Sequence, residues 1–352
     1  MKACIDDFDY PLPPELVAQY PVEPRDASRL LVLDRQTGEV HHAGFGDLPQ
    51  WLDAGDLLVV NDTQVFPARL TGFKDTGGKV ELLLHGLPQP EGNGGVPKKA
   101  RALAGYRARR RLRPGQVITF GKGLSAEITA LPQPGTMEVR FRCDAGDVGQ
   151  KILASGEVPL PPYIRRKAEP SDQNRYQTIF ARRPGAVACP TAGLHFTDEI
   201  LEKLARQGIK TVNITLHVGP GTFTPVRLSN YTEHRLAPEY FSLSAEAAAR
   251  LNEARRQGKR LLAVGTTTVR VLESCLTSQG FAAGEGWCDL FIYPGYRFKA
   301  VDRLITNFHL PRSTLLLLVS AFAGRELIMQ AYEKAVKARY RFYSYGDCML
   351  IL

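Results

Sequence analysis

The segment from residue 66 to residue 155 most restricts what this chain of 352 residues can fold into. Its apolar residues recur in short, often alternating runs such as GKVELLL and TMEVRFR, and turn-forming stretches such as PQPEGNGGVP separate them. A succession of short alternating runs is typical of strands in a small antiparallel barrel or sandwich. The first helical pattern in this segment is DVGQKILAS, at 147–155. We therefore predict an all-β domain over 66–155.

The chain on both sides of this segment has a different pattern. RLLVLD (29–34) and DLLVVND (56–62) are apolar runs bounded by turn residues, as expected for strands buried on both faces. From residue 156 onward, helical and strand patterns alternate. Helices are predicted at 197–208, 244–257, 267–276, 313–323 and 325–339, and strands at 209–218, 260–265 and 288–293. This alternation predicts an α/β domain, formed by 1–65 and 156–352, whose mixed sheet is flanked by helices.

Charge and cysteine usage indicate the class of partner and the compartment. The formal net charge is +9, which favours acidic partners, nucleic acid above all. The six cysteines are scattered without C-x-x-C spacing, so we predict neither a zinc site nor a redox dithiol, and expect a reducing cytoplasm. The longest apolar run, LLLLVSAFA, is about half of a membrane span of roughly 20 residues, and the acidic N-terminus is unlike a signal peptide.

Two neighbouring stretches combine histidine with glycine and threonine. PTAGLHFT (190–197) contains Thr191, Gly193 and His195 just before a predicted helix, where backbone N–H groups can hold an anion. TLHVGPGTFTP (215–225) follows a predicted strand, and open α/β sheets bind ligands at loops after strand ends. Its candidate ligand-binding residues are His217, Gly219, Gly221 and Thr222. The alternative is that both stretches are ordinary connections with internally satisfied histidines.

Two further helix starts carry more polar groups than a helix needs. In AVGTTTVRVLES, Thr266 and Thr267 suit a carboxylate or phosphate, although plain capping also explains them. Arg270 lies in the first turn, where the helix dipole disfavours a cation, so we expect a negative partner for it. In NFHLPRST, His309 and Arg312 gather just ahead of an apolar helix that requires neither.

The stretch GYRARRRLRPGQ (105–116) is the most basic part of the chain. Five of the seven residues in 107–113 are arginine: Arg107, Arg109, Arg110, Arg111 and Arg113. In a connection between barrel strands they form a dense edge that can bind phosphates, with a tyrosine available to stack on a base. The alternative is a solvated basic loop.

Several known signatures are absent from the sequence. It contains no P-loop, no G-x-G-x-x-G motif and no G-x-S-x-G elbow, and its histidines do not have the spacing of metal ligands. No metal site is predicted.

Taken together, several long stretches resemble the S-adenosylmethionine:tRNA ribosyltransferase-isomerase family of queuosine biosynthesis. They include DDFDYPLPPELVAQYP, GDLLVVNDTQVFPARL, PTAGLHFT, HVGPGTFTPV, AVGTTTVRVLES, LITNFHLPRSTLLLLVSAFAG and YRFYSYGDCMLIL, and they span nearly the whole chain in order. The resemblance implies an α/β domain with an inserted Greek-key β-barrel, which agrees with the two patterns described above.

The resemblance also implies a reaction. Such enzymes move the ribosyl part of S-adenosylmethionine onto 7-aminomethyl-7-deazaguanine at the wobble position of tRNA, giving epoxyqueuosine-tRNA, adenine and methionine. The implied partners are this precursor-bearing tRNA and S-adenosylmethionine, which is consumed as a substrate, with no metal or redox cofactor and no membrane. A cytoplasmic monomer is expected.

Roles for the candidate residues follow from that chemistry. A base must remove a proton beside the sulfonium and an acid must assist the loss of adenine, and His195, His217 and His309 are the candidates, with His195 first. The start of the helix at 266–270 suits the methionyl carboxylate, and Asp62 or Glu233 suits the ammonium. The five loop arginines and Arg312 are the candidates for tRNA binding.

The sequence departs from the family pattern at two positions. Ala237 stands where a family histidine is usual, and Pro220 stands where leucine is more usual. Two other functions remain open from the residues. A conventional S-adenosylmethionine-dependent RNA methyltransferase would show a glycine-rich loop after an early strand, which is absent. A non-catalytic RNA-binding protein would not need the histidine and arginine clusters.

Overall fold

A computed structural model describes residues 3–92, 95–223 and 228–352 of the chain, except for the side chains of 222 and 223. The helices are α1 (Val148–Ser155), α2 (Asp172–Arg175), α3 (Asp198–Arg206), α4 (Ala245–Arg256), α5 (Thr266–Cys275), α6 (Thr314–Ala323) and α7 (Arg325–Lys337). The strands are β1 (Arg29–Leu33), β2 (Val40–Gly44), β3 (Asp56–Asn61), β4 (Thr63–Val65), β5 (Arg69–Lys74), β6 (Lys79–Leu84), β7 (Gln89–Glu91), β8 (Lys99–Ala108), β9 (Val117–Gly121), β10 (Leu124–Gln133), β11 (Thr136–Cys143), β12 (Arg183–Ala186), β13 (Lys210–Leu216), β14 (Glu239–Leu243), β15 (Arg260–Val264), β16 (Leu276–Thr277), β17 (Gly280–Phe281), β18 (Gly284–Cys288), β19 (Arg303–Asn307) and β20 (Cys348–Ile351).

Nine strands form one mixed sheet in the order β18-β14-β13-β3-β15-β19-β20-β1-β2. The central strands β13, β3, β15 and β19 run parallel to one another, and β1 runs parallel to β20. The other neighbouring pairs in this sheet are antiparallel. The carboxyl ends of the four central strands therefore lie at the same edge of the sheet. Open α/β sheets bind ligands at this edge.

Helices cover both faces of this sheet because its strands are apolar on both faces. Leu30 and Leu31 of β1 are both fully buried and belong to different core clusters, as the alternation of a strand requires. Leu31 packs in the core that also contains apolar residues of α4, α5, α6 and α7. Leu30 packs in the core that contains residues of α3 and of the 3₁₀-helix Phe45–Trp51. The predicted mixed sheet flanked by helices is confirmed.

Side-chain caps fix the starts of three predicted helices. The Thr197 hydroxyl accepts from the backbone N–H of Ile200, at an N···O distance of 3.3 Å, so α3 begins where the sequence predicts. Ser244 and Ser313 cap α4 and α6 in the same way. Among the described residues no single helix is long and apolar enough to cross a membrane, and α6 and α7 meet that test only as a pair bent by 114°.

The predicted strand at 288–293 is wrong. The strand in this part of the chain is β18, which ends at Cys288, and Leu290 and Phe291 lie in irregular structure. The reason is that the partner strand β14 begins at Glu239, which pairs with Cys288. Residues after Cys288 therefore have no partner in a neighbouring strand. The apolar residues that follow instead line a cavity described below.

Strands β5, β6, β8, β9, β10 and β11 close into an antiparallel barrel, as predicted. The circular order is β11-β10-β9-β5-β6-β8, and β8 pairs back to β11. The short strand β7 pairs antiparallel with the start of β8. The interior is filled by apolar side chains such as Leu82, Ile118 and Phe141, each fully buried. Arg69 and Glu157, at the two ends of the barrel segment, exchange backbone hydrogen bonds with N···O distances of 3.1 and 2.8 Å.

The arginine-rich connection between β8 and β9 crosses the end of the barrel. It must do so because β8 pairs with β6 and β11, whereas β9 pairs with β5 and β10. Leu112 in the middle of this connection is fully buried in the barrel core, while the arginines around it are exposed. The connection is therefore anchored by one apolar side chain.

Replacing Leu112 with alanine should destabilise the barrel by about 2–5 kcal/mol, because the truncation leaves a cavity in a closed apolar interior. The neighbouring Arg110→Ala, at an exposed position, should change stability by no more than about 0.5 kcal/mol. Denaturant unfolding of both variants measures the difference. Equal stabilities would show that Leu112 does not anchor the connection.

Candidate active site

A cavity of about 1170 Å³ lies between the barrel and the edge of the sheet where the parallel strands end. The barrel contributes residues of β8, β10 and β11 to its wall, among them Arg101 and Arg140. The α/β domain contributes the loop after β13, the strand β14 and the start of α6. We call this cavity the cleft. Its size suits a ligand larger than a single amino acid, since small-molecule sites occupy about 300–1,000 Å³.

His217 lies in the wall of the cleft, directly after β13. Its Nδ1 lies 2.7 Å from the Thr63 hydroxyl, and its ring stacks on Tyr240 with centroids 5.5 Å apart and planes 19° apart. Burial lowers the pKa of His217, and the positive charge of Arg183 lowers it further, whereas Asp62 raises it. The imidazole is thus held in one orientation, with Nε2 as the nitrogen available for proton transfer.

Gly185 allows His217 to occupy this position. A Cβ atom on Gly185 would come within 2.6 Å of Nε2 and 2.7 Å of the neighbouring ring carbons. Gly185 also lines the cleft. Any side chain at this position would therefore push the imidazole out of place.

Arg270 and Glu239 form a buried ion pair at the wall of the cleft. Both side chains are 8% exposed, and Nη1 of Arg270 donates to Oε2 of Glu239. The other guanidinium nitrogens donate to the carbonyls of Leu290 and Cys288 at 3.1 and 2.9 Å. The negative partner of Arg270 in the structure is Glu239, whereas the prediction from the sequence was the methionyl carboxylate of the substrate.

The glycine loop after His217 is held against that ion pair. The N–H of Gly219 donates to Oε1 of Glu239 at 2.8 Å. Gly221 lies close enough to Ala237 that a Cβ on the glycine would be 3.8 Å from the alanine Cβ. Pro220 and Ala237, the two departures from the family pattern, both line the cleft. The side chain of Thr222 lies outside the described part of the structure.

The start of α5 lies behind the cleft wall. Asn61, at the end of β3, donates to the Thr267 hydroxyl at 3.2 Å and to the carbonyl of Leu216 at 3.0 Å. Its amide oxygen accepts from the backbone N–H groups of Thr63 and Leu216. Thr266 and Thr267 are both buried. The start of α5 is therefore connected to the ends of β3 and β13 through the hydrogen bonds of Asn61.

Asp62 and Glu233, the two acids predicted for the ammonium, do not line the cleft. Asp62 accepts from the Thr215 hydroxyl at 2.6 Å and lines a separate cavity of about 370 Å³. Glu233 is exposed and accepts from the Asn230 side chain at 2.9 Å. The acid that the structure places in the cleft beside a cation is Glu239.

His195 also lies away from the cleft, in the interior. Nδ1 lies 2.7 Å from the Ser28 hydroxyl and Nε2 lies 3.2 Å from the Asn307 amide nitrogen. Thr191 donates to the Asn307 oxygen at 2.8 Å. Gly193 packs so tightly that an added Cβ would be 2.9 Å from Thr178. This stretch therefore surrounds the end of β19, and its residues Leu194 and His195 line a cavity of about 20 Å³.

His309 is also buried. Its Nε2 lies 2.8 Å from the Thr306 hydroxyl, and its backbone N–H donates to the Tyr332 hydroxyl at 2.9 Å. Burial lowers its pKa to about 3, as it does for His195, where Arg341 and Arg25 lower it further. Of the three candidate histidines, only His217 lines the cleft.

The candidate tRNA-binding arginines fall into two environments. Arg107, Arg109, Arg110, Arg111 and Arg113 are all exposed on or beside the connection that crosses the barrel. Arg312 has positive φ and lies near two carboxylates, at 3.4 Å from Asp6 and 3.6 Å from Asp9. The loop arginines thus form one basic surface, and Arg312 lies in an acidic setting elsewhere.

Sequence reasoning missed several residues of the cleft. His85 and Arg101 reach it from the barrel, and His234, Tyr240 and Trp287 reach it from the sheet edge. No local pattern marks them, because they come together only when the barrel packs against the sheet. The expected negative partner of Arg270 was the one available signal, and it pointed to an acid without identifying it. Within the described ranges, no group of three or more His, Cys, Asp or Glu side chains could hold a metal ion.

Comparison with known proteins gives full-length matches. Residues 5–351 match a family model described as queuosine biosynthesis protein. The chain is 52% identical to the S-adenosylmethionine:tRNA ribosyltransferase-isomerase of Moorella thermoacetica and 49% identical to that of Aquifex aeolicus, each alignment covering 99% of both chains. It is similar to a crystal structure of S-adenosylmethionine tRNA ribosyltransferase from Thermotoga maritima, with 38% identity and a TM-score of 0.56 over 98% of this chain and 100% of that one.

His195→Gln should weaken the pH dependence of stability. The folded pKa is about 3 and the ordinary value is 6.5, so between these values the unfolded chain binds a proton that the folded chain does not. Protonation therefore favours unfolding, and stability contributed by neutral His195 is lost as pH falls below about 6.5. Well inside this window the effect is about 1.4 kcal/mol per pH unit.

The measurement is the Tm of the unsubstituted protein and of His195→Gln at pH 7.5, 6.0 and 5.0. The glutamine keeps a hydrogen-bonding group for Ser28 or Asn307 but cannot take up the proton. Its Tm should fall less on acidification than that of the unsubstituted protein. Parallel curves would contradict a buried, neutral histidine.

Proposed function

The chain belongs to the queuosine biosynthesis protein family, and we infer that it is an S-adenosylmethionine:tRNA ribosyltransferase-isomerase. It is an enzyme that transfers and isomerises the ribosyl moiety of S-adenosylmethionine onto 7-aminomethyl-7-deazaguanine in the tRNA wobble position. The products are epoxyqueuosine-tRNA, adenine and methionine. The full-length identity to relatives of this name supports the assignment.

The observation that supports a location for the reaction is the position of His217. Of the three histidines predicted as acid or base, His217 is the one that lines a cavity large enough for the reacting ends of both substrates. Because burial lowers its pKa, it is neutral near pH 7 and able to accept a proton. We assign it the removal of the proton from the ribose carbon next to the sulfonium. The positive sulfur makes that C–H bond more acidic, and a positioned base removes its proton.

The Arg270–Glu239 pair supports a place for the methionyl end of S-adenosylmethionine. That end carries one carboxylate and one ammonium, and the pair presents one cation and one anion at the cleft wall. Glu239 thereby takes the role first given to Asp62 or Glu233. The amine of the deazaguanine must attack as the neutral form, and the apolar residues Leu290, Phe291 and Ile292 around the pair favour that form by excluding water.

The five exposed loop arginines support a tRNA-binding surface on the barrel. Phosphates along a nucleic acid pair with such residues and release counterions. Because Leu112 is buried in the barrel core, these arginines occupy a defined place on the barrel. We further propose a cytoplasmic monomer that uses no cofactor. All six cysteines are free thiols, which agrees with a reducing compartment.

Incubation with S-adenosylmethionine and precursor-bearing tRNA should release free adenine and convert the nucleoside to epoxyqueuosine, detected by mass. His217→Gln should lower turnover by about 10²–10⁴ with little change in substrate binding, because the loss falls on proton transfer. His41→Gln, at an exposed position on β2, is the matched control and should remain active. Release of S-adenosylhomocysteine would indicate a methyltransferase instead, and a fast His217→Gln enzyme would remove His217 from the mechanism.

Neutralising Arg109, Arg110 and Arg111 together should weaken tRNA binding and its salt dependence. Each lost phosphate contact should lower the slope of log K against log salt by about 0.7–0.9. Substituting alanine for Arg206, Arg256 and Lys337, exposed on three helices, controls for the loss of three positive charges. An unchanged slope in the loop variant would exclude phosphate contacts there.

A further inference from the structure

The chain has two tryptophans, Trp51 and Trp287, and Trp287 is the more exposed of the two. It is 70% exposed, on the edge strand β18 at the margin of the cleft. Tryptophan is on average largely buried, because its indole ring removes a large apolar area from water. Trp287 packs on the described residues with only part of its surface, so most of the ring is presented to solvent.

An aromatic series connects Trp287 with the proposed catalytic histidine. Trp287 lies directly opposite Tyr240 in the β14–β18 pairing, with ring centroids 6.0 Å apart and planes at 79°. Tyr240 in turn stacks on His217. The Tyr240 hydroxyl donates to Glu285 at 2.5 Å, which fixes the tyrosine between its two neighbours. The series runs from the inside of the cleft to its rim.

Positive charge flanks this series. Arg183 donates to the Ser242 hydroxyl at 3.3 Å, on the same strand as Tyr240, and it influences the pKa of both His217 and Tyr240. Arg235 lines the cleft and donates to the carbonyls of Thr232 and His234. An exposed indole with neighbouring guanidinium groups is the combination that binds single-stranded nucleic acid, since bases stack on aromatic rings while arginines contact phosphates.

We propose that Trp287 is a stacking platform for an unpaired base of the tRNA substrate, next to the base that enters the cleft. The proposal rests on the proposed function, because that function supplies the RNA. A small substrate is the poorer occupant, since ligand sites bury 70–90% of a small molecule, whereas a rim position suits a polymer that continues outside the cavity. Trp287 is thus a positioning residue for RNA and takes no part in the chemistry.

Fluorescence tests the proposal directly. In full-length Trp51→Phe protein, Trp287 is the one remaining tryptophan. Precursor-bearing tRNA should quench its emission and protect it from acrylamide, with saturation at the binding Kd. The matched control is Trp287→Phe, which retains Trp51 on the 3₁₀-helix beside β2 and should show no such change. Quenching by S-adenosylmethionine alone, or no change with saturating tRNA, would overturn the platform.

Kinetics separate stacking from a purely structural role. Trp287→Ala should raise the Kd and KM for tRNA about 5- to 150-fold, the range for one lost stacked base, while kcat at saturating tRNA and the KM for S-adenosylmethionine stay within about twofold. Trp287→Phe should recover most of the affinity because it keeps a π face. A fall in kcat without a change in tRNA affinity would contradict the proposal.

The platform and the enzymatic assignment can fail independently. Quenching and protection by tRNA without turnover of the unsubstituted protein would support the platform and refute the proposed reaction. Turnover without any fluorescence response would support the proposed reaction and refute the platform. The binding arm requires no catalysis, so either result is decisive for the platform.

Discussion

The hydrogen bonds of Asn61 are the constraint on which the cleft depends. Where β3 ends, its amide joins the backbone of β13, the hydroxyl of Thr267 at the start of α5, and the N–H of Thr63. Thr63 then holds the imidazole of His217. A buried amide that loses such partners costs free energy without compensation, so the set is made together or not at all. The orientation of His217, the proposed base, therefore depends on hydrogen bonds among the ends of β3 and β13 and the start of α5.

Asn307, at the end of β19, makes a similar set of hydrogen bonds in a different part of the structure. Asn307 binds Thr191 and His195 and donates to the carbonyl of Tyr343. Each asparagine is the last residue of a central strand of the sheet, beyond which backbone groups would otherwise be left unpaired. The two histidine-containing stretches thus have similar residues and different neighbours. One opens onto a large cavity, and the other is closed around a buried side chain.

The sequence predicted the parts whose information is local. Alternating apolar residues predicted the barrel, and Thr197, Ser244 and Ser313 marked helix starts that the structure confirms. The strand at 288–293 failed because extended apolar residues need a partner, and β14 offers none beyond Glu239. Within the site, the position of Arg270 against its helix dipole predicted an acidic neighbour. Residues such as His85 and Trp287 could not be predicted, because they meet only when two domains pack together.

Arg69 and Glu157 pair their backbones at the point where the chain enters and leaves the barrel. Val187, which follows β12 in the α/β domain, is fully buried in the apolar cluster of the barrel, so the attachment also includes shared packing. This packing places the cleft wall that carries His217 opposite the wall that carries Arg101 and Arg140.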